Sequence, residues 1–238
     1  MPAFLYGIIL QWKMNIRSKD ILVFYYIVPL VFYLFMGGIF TSVMPDAHKT
    51  LIQTMVTFGV TMGGVLGAPY PLIEVFGSDI KKAYQVGGVP LWTVVLSNFI
   101  SASLHLFLMS MVIFFTAPVI FDAAAPQSTG ACFSGIILLI ISSVSVGTVF
   151  GLFIRSASKA GVATQFVFLP SVMLSGIMFP VSMLPDALRY AGRILPATWG
   201  FKAACAGNIN VTALLSMAFI TLVLFAVSVW KLKRLTAV

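Results

Sequence analysis

Six stretches of the sequence, each longer than twenty residues, contain no Asp, Glu, Lys or Arg. They are Ile21–Met44, Leu51–Ile73, Pro90–Phe121, Ala123–Ile154, Ala160–Pro185 and Ala203–Trp230. A helix that crosses ~30 Å of hydrocarbon needs about 20 mostly apolar residues, so these runs have the length of membrane spans. Membrane β-strands would instead alternate apolar and polar residues over segments of about ten. Only 8% of the 238 residues are charged, about a third of the roughly 25% that covers a soluble surface. The fold class expected is all-α integral membrane, one domain over 1–238. Its spans are placed at about 21–44, 51–73, 90–121, 132–154, 160–178 and 203–230. The fourth is trimmed to Cys132 because Ala123–Gly130 reads as a turn.

The net charge is +8, which raises the question of nucleic acid. Its distribution answers otherwise. With a cytoplasmic N-terminus, ten Lys/Arg fall inside: Lys13, Arg17, Lys19, Lys81, Lys82, Arg155, Lys159, Lys231, Lys233 and Arg234. Four fall outside: Lys49, Arg189, Arg193 and Lys202. This is the positive-inside bias, and an even span count returns the C-terminus to the cytoplasm. Anionic headgroups are the expected counter-charge, with membrane lipids as partners and no nucleic acid. The chain is expected in the inner (plasma) membrane. The first apolar run is too long for a signal peptide and lacks a small-residue cleavage site. Cys132 and Cys205 fall near the outer face, so a bridge between them or two free thiols both remain open.

Residues 1–20 place Phe4, Leu5, Ile8, Ile9 and Trp12 ahead of Lys13, Arg17 and Lys19. That spacing predicts a helix lying in the cytoplasmic interface; a disordered leader is the alternative. Gly59, Gly63 and Gly67 recur at four-residue intervals, as do Ser143, Gly147 and Gly151. Such stripes let membrane helices approach closely, within one chain or across a dimer seam.

Chemical motifs are sparse. There is no GxxxxGK[ST] phosphate loop, no HExxH and no GxSxG, and His48 and His105 are not spaced as a metal pair. Ser142–Ser145 is expected to bond backbone carbonyls. Intramembrane ionisable groups mark ion pathways, and the spans hold none but His105. An ion-coupled transporter or channel, the alternative reading, would use a mid-depth carboxylate. No pair of base and nucleophile supports a membrane enzyme.

Two connections stand out. Glu74–Val89 on the inner side sets Glu74, Asp79, Lys81 and Lys82 beside Val75, Phe76, Ile80 and Tyr84, and ends on Gly87, Gly88 and Pro90. A short amphipathic helix or a solvated loop fits. If helical, Glu74 at its start is favoured by the helix dipole. Phe76 and Ile80, four apart, would fill an apolar groove on a partner, with Lys81 and Lys82 at the rim or the headgroups. The outer connection, Gly176–Lys202, holds Pro180, Pro185 and Pro196, which straight helices do not accommodate. It stays apolar, and broken helices at membrane depth must be buried or line a cavity. A re-entrant pair of short helices is predicted, with Leu188, Tyr190, Ile194 and Trp199 capping a pathway.

These segments carry a resemblance. PSVMLSGIMFPVSMLP from Pro170 matches the pattern PxxxLSGxxFPxxxLP, and LPATW follows at Leu195. The chain resembles the membrane subunit of an ABC transporter of the type-2 permease family, the exporter class. The resemblance extends to six spans, an N-terminal interfacial helix and a Glu that opens a cytosolic segment after span 2. It implies a dimer of permeases, as a homodimer, resting on two copies of a separate cytosolic ATPase. ATP and Mg would be bound there, with no cofactor, metal or catalytic residue on this chain. The coupling helix would be Glu74–Ala83, including Glu74, Phe76, Gly77, Ser78, Asp79, Ile80, Lys81 and Lys82. The outer re-entrant gate would be Gly176–Trp199, with Gly176, Phe179, Pro180, Pro185, Leu188, Tyr190, Pro196 and Trp199. The substrate would pass between protomers near spans 1, 2 and 5.

Overall fold

The computed structural model describes residues 2–43 and 45–236. Met44, the expected end of the first span, lies outside them, as do the side chains of Phe4 and Pro45. Every regular element among the described residues is helical. Helix α1 covers Pro2–Arg17. Then follow α2, Lys19–Val43, and α3, Leu51–Phe76. The short α4, Ile80–Val86, precedes α5, Leu91–Phe121, α6, Thr129–Phe153, and α7, Ala157–Leu174. A 3-10 turn at Val181–Met183 leads to α8, Asp186–Gly192, α9, Pro196–Ala204, and α10, Val211–Thr236.

Five of these are long and apolar enough to cross a membrane: α2, α3, α5, α6 and α10. The last begins at Val211 and not at Ala203, because Pro196–Ala204 is a separate helix followed by the non-helical stretch 205–210. Within α10 the amide of Ala213 is capped by Asn210 Oδ1 at 3.0 Å. Helix α7 has 18 residues, about 27 Å at 1.5 Å per residue. Lys159 and Gln165 lie within it. It runs antiparallel to α3: Gly161 lies by Tyr70, and the Phe168 ring is 5.8 Å from that of Phe58.

α3 is the axis of the molecule. Its central stretch is wholly buried, enclosed by α2, α5, α6, α7 and α9. The approach depends on missing side chains. A Cβ at Gly147 of α6 would meet the Gly64 carbonyl oxygen of α3, and one at Gly151 would lie 2.8 Å from Leu72 Cβ. On the other side of α3, Gly59, Gly63 and Gly67 receive Met109, Leu106 and Tyr25. Both small-residue stripes are therefore filled within this chain. Two π-helical turns, Val23–Ile27 of α2 and Gly63–Gly67 of α3, sit side by side around the fully buried Tyr25. Such turns widen a helix locally and free backbone groups. Near the second, Asn98 of α5 donates to the Ala68 carbonyl at 3.2 Å.

Several polar groups within the bundle pair inside it. Tyr26 OH and His105 Nδ1 share a hydrogen bond at 2.8 Å. Ser142 and Ser145 bond the carbonyls of Leu138 and Ile141 at 2.8 Å each. Cys132 and Cys205 are both free thiols. Helix α1 is ordered against α5: Trp12 stacks on His105 at 3.8 Å, and Asn15 donates to Ser101 at 2.9 Å. α5 has 31 residues, about 46 Å, so it overhangs a ~30 Å core and offers α1 a wall along its first half.

The bundle has two chemically different ends. One gathers Lys13, Arg17, Lys19, α4, the turn at Arg155 and the last turn of α10 with Lys233 and Arg234, where Leu235 packs with Leu72, Val75 and Phe76. The other holds the loop after Asp122 and the Pro-rich segment.

Candidate functional site

At the basic end, α3 stops where Gly77 and Ser78 break it. The Ser78 hydroxyl donates to the Glu74 carbonyl at 2.6 Å and accepts from the Ile80 amide at 3.3 Å. One side chain thus closes α3 and opens α4. Gly77 lies against the neighbouring turn, where a Cβ would come 2.5 Å from the Arg155 carbonyl oxygen. The exit is set by Gly88 at φ +66°, a left-handed conformation that costs glycine nothing, followed by Pro90 ahead of α5.

Two expectations are corrected here. Glu74 does not open the short helix. It sits in the last turn of α3, and Asp79 occupies the position before Ile80. The favourable dipole end belongs to Asp79, while Glu74 lines a cleft of about 390 Å³ facing Arg17, Asn15 and Tyr84. Phe76 is not a surface anchor either. It is 6% exposed and packs with Leu72, Leu91, Val94 and Leu152. Apolar surface comes instead from Ile80, 39% exposed, and Val86, 90% exposed. Val86 lies beyond the expected Glu74–Ala83, and its place just before Gly87–Gly88 is the one cue to it in the sequence. Lys82 pairs with Asp79 at 2.9 Å in full solvent. This bond is the leading cause that lowers the Asp79 carboxyl and raises the Lys82 amine from their ordinary values.

At the other end, Gly176 has φ +95° and ends the helical path of α7. The prolines then take positions that suit them. Pro180 precedes the 3-10 turn, Pro185 stands before α8, and Pro196 is the first residue of α9. Thr198 donates to the Gly192 carbonyl and the Trp199 indole to the Arg193 carbonyl, both at 2.6 Å, which fastens α9 to the end of α8. Gly192 lies on Leu174, and Gly200 on Leu139 of α6. Leu139 is ten residues into α6, about 15 Å from its end, so α9 reaches well along the bundle. Phe179, Leu188, Tyr190 and Ile194 are exposed, and Trp199 is half-buried. The segment thus contains a 3-10 turn in addition to two short helices.

The two clusters lie at opposite ends, joined by α3 and α7. Among the described residues no group of three His, Cys, Asp or Glu is placed to hold a metal ion. Compared with known proteins, residues 4–209 match the family model of ABC-2 type transporters. Over 105 residues the chain is 31% identical to the probable multidrug ABC transporter permease YbhS of Escherichia coli K12, and to the protein of that name from E. coli O157:H7. The match takes in 41% of this chain and only 28% of the length of each relative. A family match over most of the chain, an all-helical bundle and membrane-length helices agree: this protein belongs to the ABC-2 type transporter family, as a membrane-embedded permease domain.

Proposed function

We propose that the chain is the transmembrane subunit of an ATP-driven exporter, forming the substrate pathway as a dimer and powered by a separate cytosolic ATPase. In this reading α7 is a sixth crossing, α1 an interfacial helix, α4 the coupling helix and Gly176–Trp199 an outer re-entrant gate. Both termini are cytoplasmic in the plasma membrane. The observation that carries it is the direct continuity of an exposed helix with a buried one. α4 presents Ile80 and Val86 to solvent, and Ser78 ties it to α3, which α2, α5, α6, α7 and α9 enclose. A push on α4 is delivered to the packed core, and Gly77 passes it to the α6–α7 turn at Arg155. The relatives' printed name, a multidrug permease, supports export. Because α3 is buried within one chain, the route between protomers is bounded by α2 and α7, which carry exposed Phe35 and Phe166.

The test is co-expression with the ATPase, followed by co-purification, hydrolysis and export assays. Central apolar anchors carry most of an interface's energy. Ile80→Ala with Val86→Ala should therefore weaken the complex by about tenfold, and Lys82→Ala far less. Glu74→Ala should leave the complex assembled but lower the export obtained per ATP. Parent-like assembly, hydrolysis and export in all three variants would remove the coupling role from α4.

A further inference from the structure

Of fourteen Lys and Arg, only Lys49, Arg189, Arg193 and Lys202 lie away from the basic end. Three of these four line one cavity of about 550 Å³ between the end of α7, α8 and α9. That volume falls within the range of small-molecule sites, about 300–1,000 Å³. The convergence is notable because cations outside the cytoplasmic face oppose the charge bias of membrane insertion. No carboxylate lines the cavity. Arg189 is paired with Asp186 beside it. Arg193 and Lys202 have no ion-pair partner among the described residues. They lie on ring faces, Arg193 at 4.7 Å from the Tyr190 centroid and Lys202 at 5.5 Å from that of Trp199. A ring face orients a cation without neutralising it, so both charges stay available.

We propose that this cavity binds the phosphate group of an anionic amphiphile. The cations are held for it: the Trp199 and Thr198 bonds to the Arg193 and Gly192 carbonyls lock the segment bearing Arg193 to the helix bearing Lys202. A guanidinium matches phosphate bidentately and an ammonium adds a point charge. The remaining wall sets the apolar faces of Val181, Trp199, Phe201 and Ala206 beside the polar Ser175, Thr198 and Asn210. A bare anion gains nothing from those apolar faces, whereas an acyl chain or other apolar tail does. α9 packs along α6 at Gly135–Leu139, which sets the site at headgroup depth and below. The inference goes beyond the proposed function and does not depend on ATP coupling.

The site can be read through Trp199. In the full chain carrying Trp12→Phe, Trp92→Phe and Trp230→Phe, reconstituted in phosphatidylcholine vesicles, Trp199 emission is followed as brominated phosphatidylglycerol or brominated phosphatidylcholine is added. We expect half-maximal quenching at about tenfold less phosphatidylglycerol. Arg193→Gln with Lys202→Gln should make the two lipids equivalent, while Lys231→Gln with Lys233→Gln at the opposite end should not. Should the triple Trp variant misfold, the same signal is obtained as the difference between the parent and Trp199→Phe. Equal quenching by the two lipids, or a preference that survives loss of both cations, overturns the site. Millimolar inorganic phosphate that erases the preference shows recognition of the free anion and overturns the amphiphile assignment.

Discussion

Helices α3 and α10 have the same length, 26 residues each, and opposite roles. All of the core of α3 is buried, against 17% for α10. Yet the apolar core of α3 is the less hydrophobic of the two, and the helix holds Gln53, Thr54, Thr57 and Thr61 and the glycines 59, 63, 64 and 67. α10 turns Leu215, Phe219, Leu222 and Phe225 outward. In water the order would be reversed, since apolar burial drives folding there. In a bilayer lipid tails are as apolar as leucine, so large apolar side chains gain nothing by facing inward. Helices associate through close backbone approach and interhelical hydrogen bonds. The comparison teaches that the least hydrophobic long helix of such a chain is the one to seek at its centre, between two chemically different ends.

The largest effect expected is on the side of α3. Gly147→Leu drives a branched side chain into the Gly64 backbone, which has no rotamer to yield. It should cost about 3 kcal/mol, the upper part of the overpacking range. Denaturant titration of the purified protein should show a clear loss of stability or no recoverable fold. Leu222→Ala, the matched change on α10, should stay within about 0.5 kcal/mol. Equal effects at the two positions would break the comparison. A smaller effect sharpens it: Tyr26→Phe removes the bond to His105, and double-mutant averages for interhelical bonds in membranes are about 0.6 kcal/mol. The same titration resolves it, and a cost above ~2 kcal/mol would mean that polar pairing, not close packing, dominates the interior.

The smallest effect lies at the exposed Asp79–Lys82 pair. Asp79 has a folded pKa below its ordinary 3.8, so its contribution is complete above that value and fades only as pH falls through the lowered one. Lys82 is raised above 10.5, so its contribution is complete below that value and fades as pH rises through the raised one. Stability should therefore be flat from about pH 5 to pH 9 with respect to this pair. Asp79→Asn should not move the melting temperature measurably, because exposed pairs in water are screened and worth little. A pH-dependent loss in that variant would show that α4 is held by charge and not by Ser78.

Much was legible in the chain itself. Unbroken apolar runs required membrane helices, because backbone groups in hydrocarbon must be bonded within the segment. The asymmetric Lys and Arg marked the basic end, and the proline spacing after Gly176 required broken helices, since each ring removes an amide. Four-residue stripes of small residues signalled close packing, but which stripe met which helix depended on the arrangement of all the helices. Tertiary structure alone decided that α3 occupies the centre, that Phe76 turns inward while Val86 faces solvent, and that Glu74 ends one helix and does not begin another. It also decided that Arg189, Arg193 and Lys202, spread over fourteen positions of sequence, share one cavity. The reason is common to these cases. Local sequence sets which conformations a segment can take through its own torsions and hydrogen bonds. The direction in which a side chain finally points depends on neighbours brought close from distant parts of the chain, as when Leu91, Leu152 and Leu235 close around Phe76.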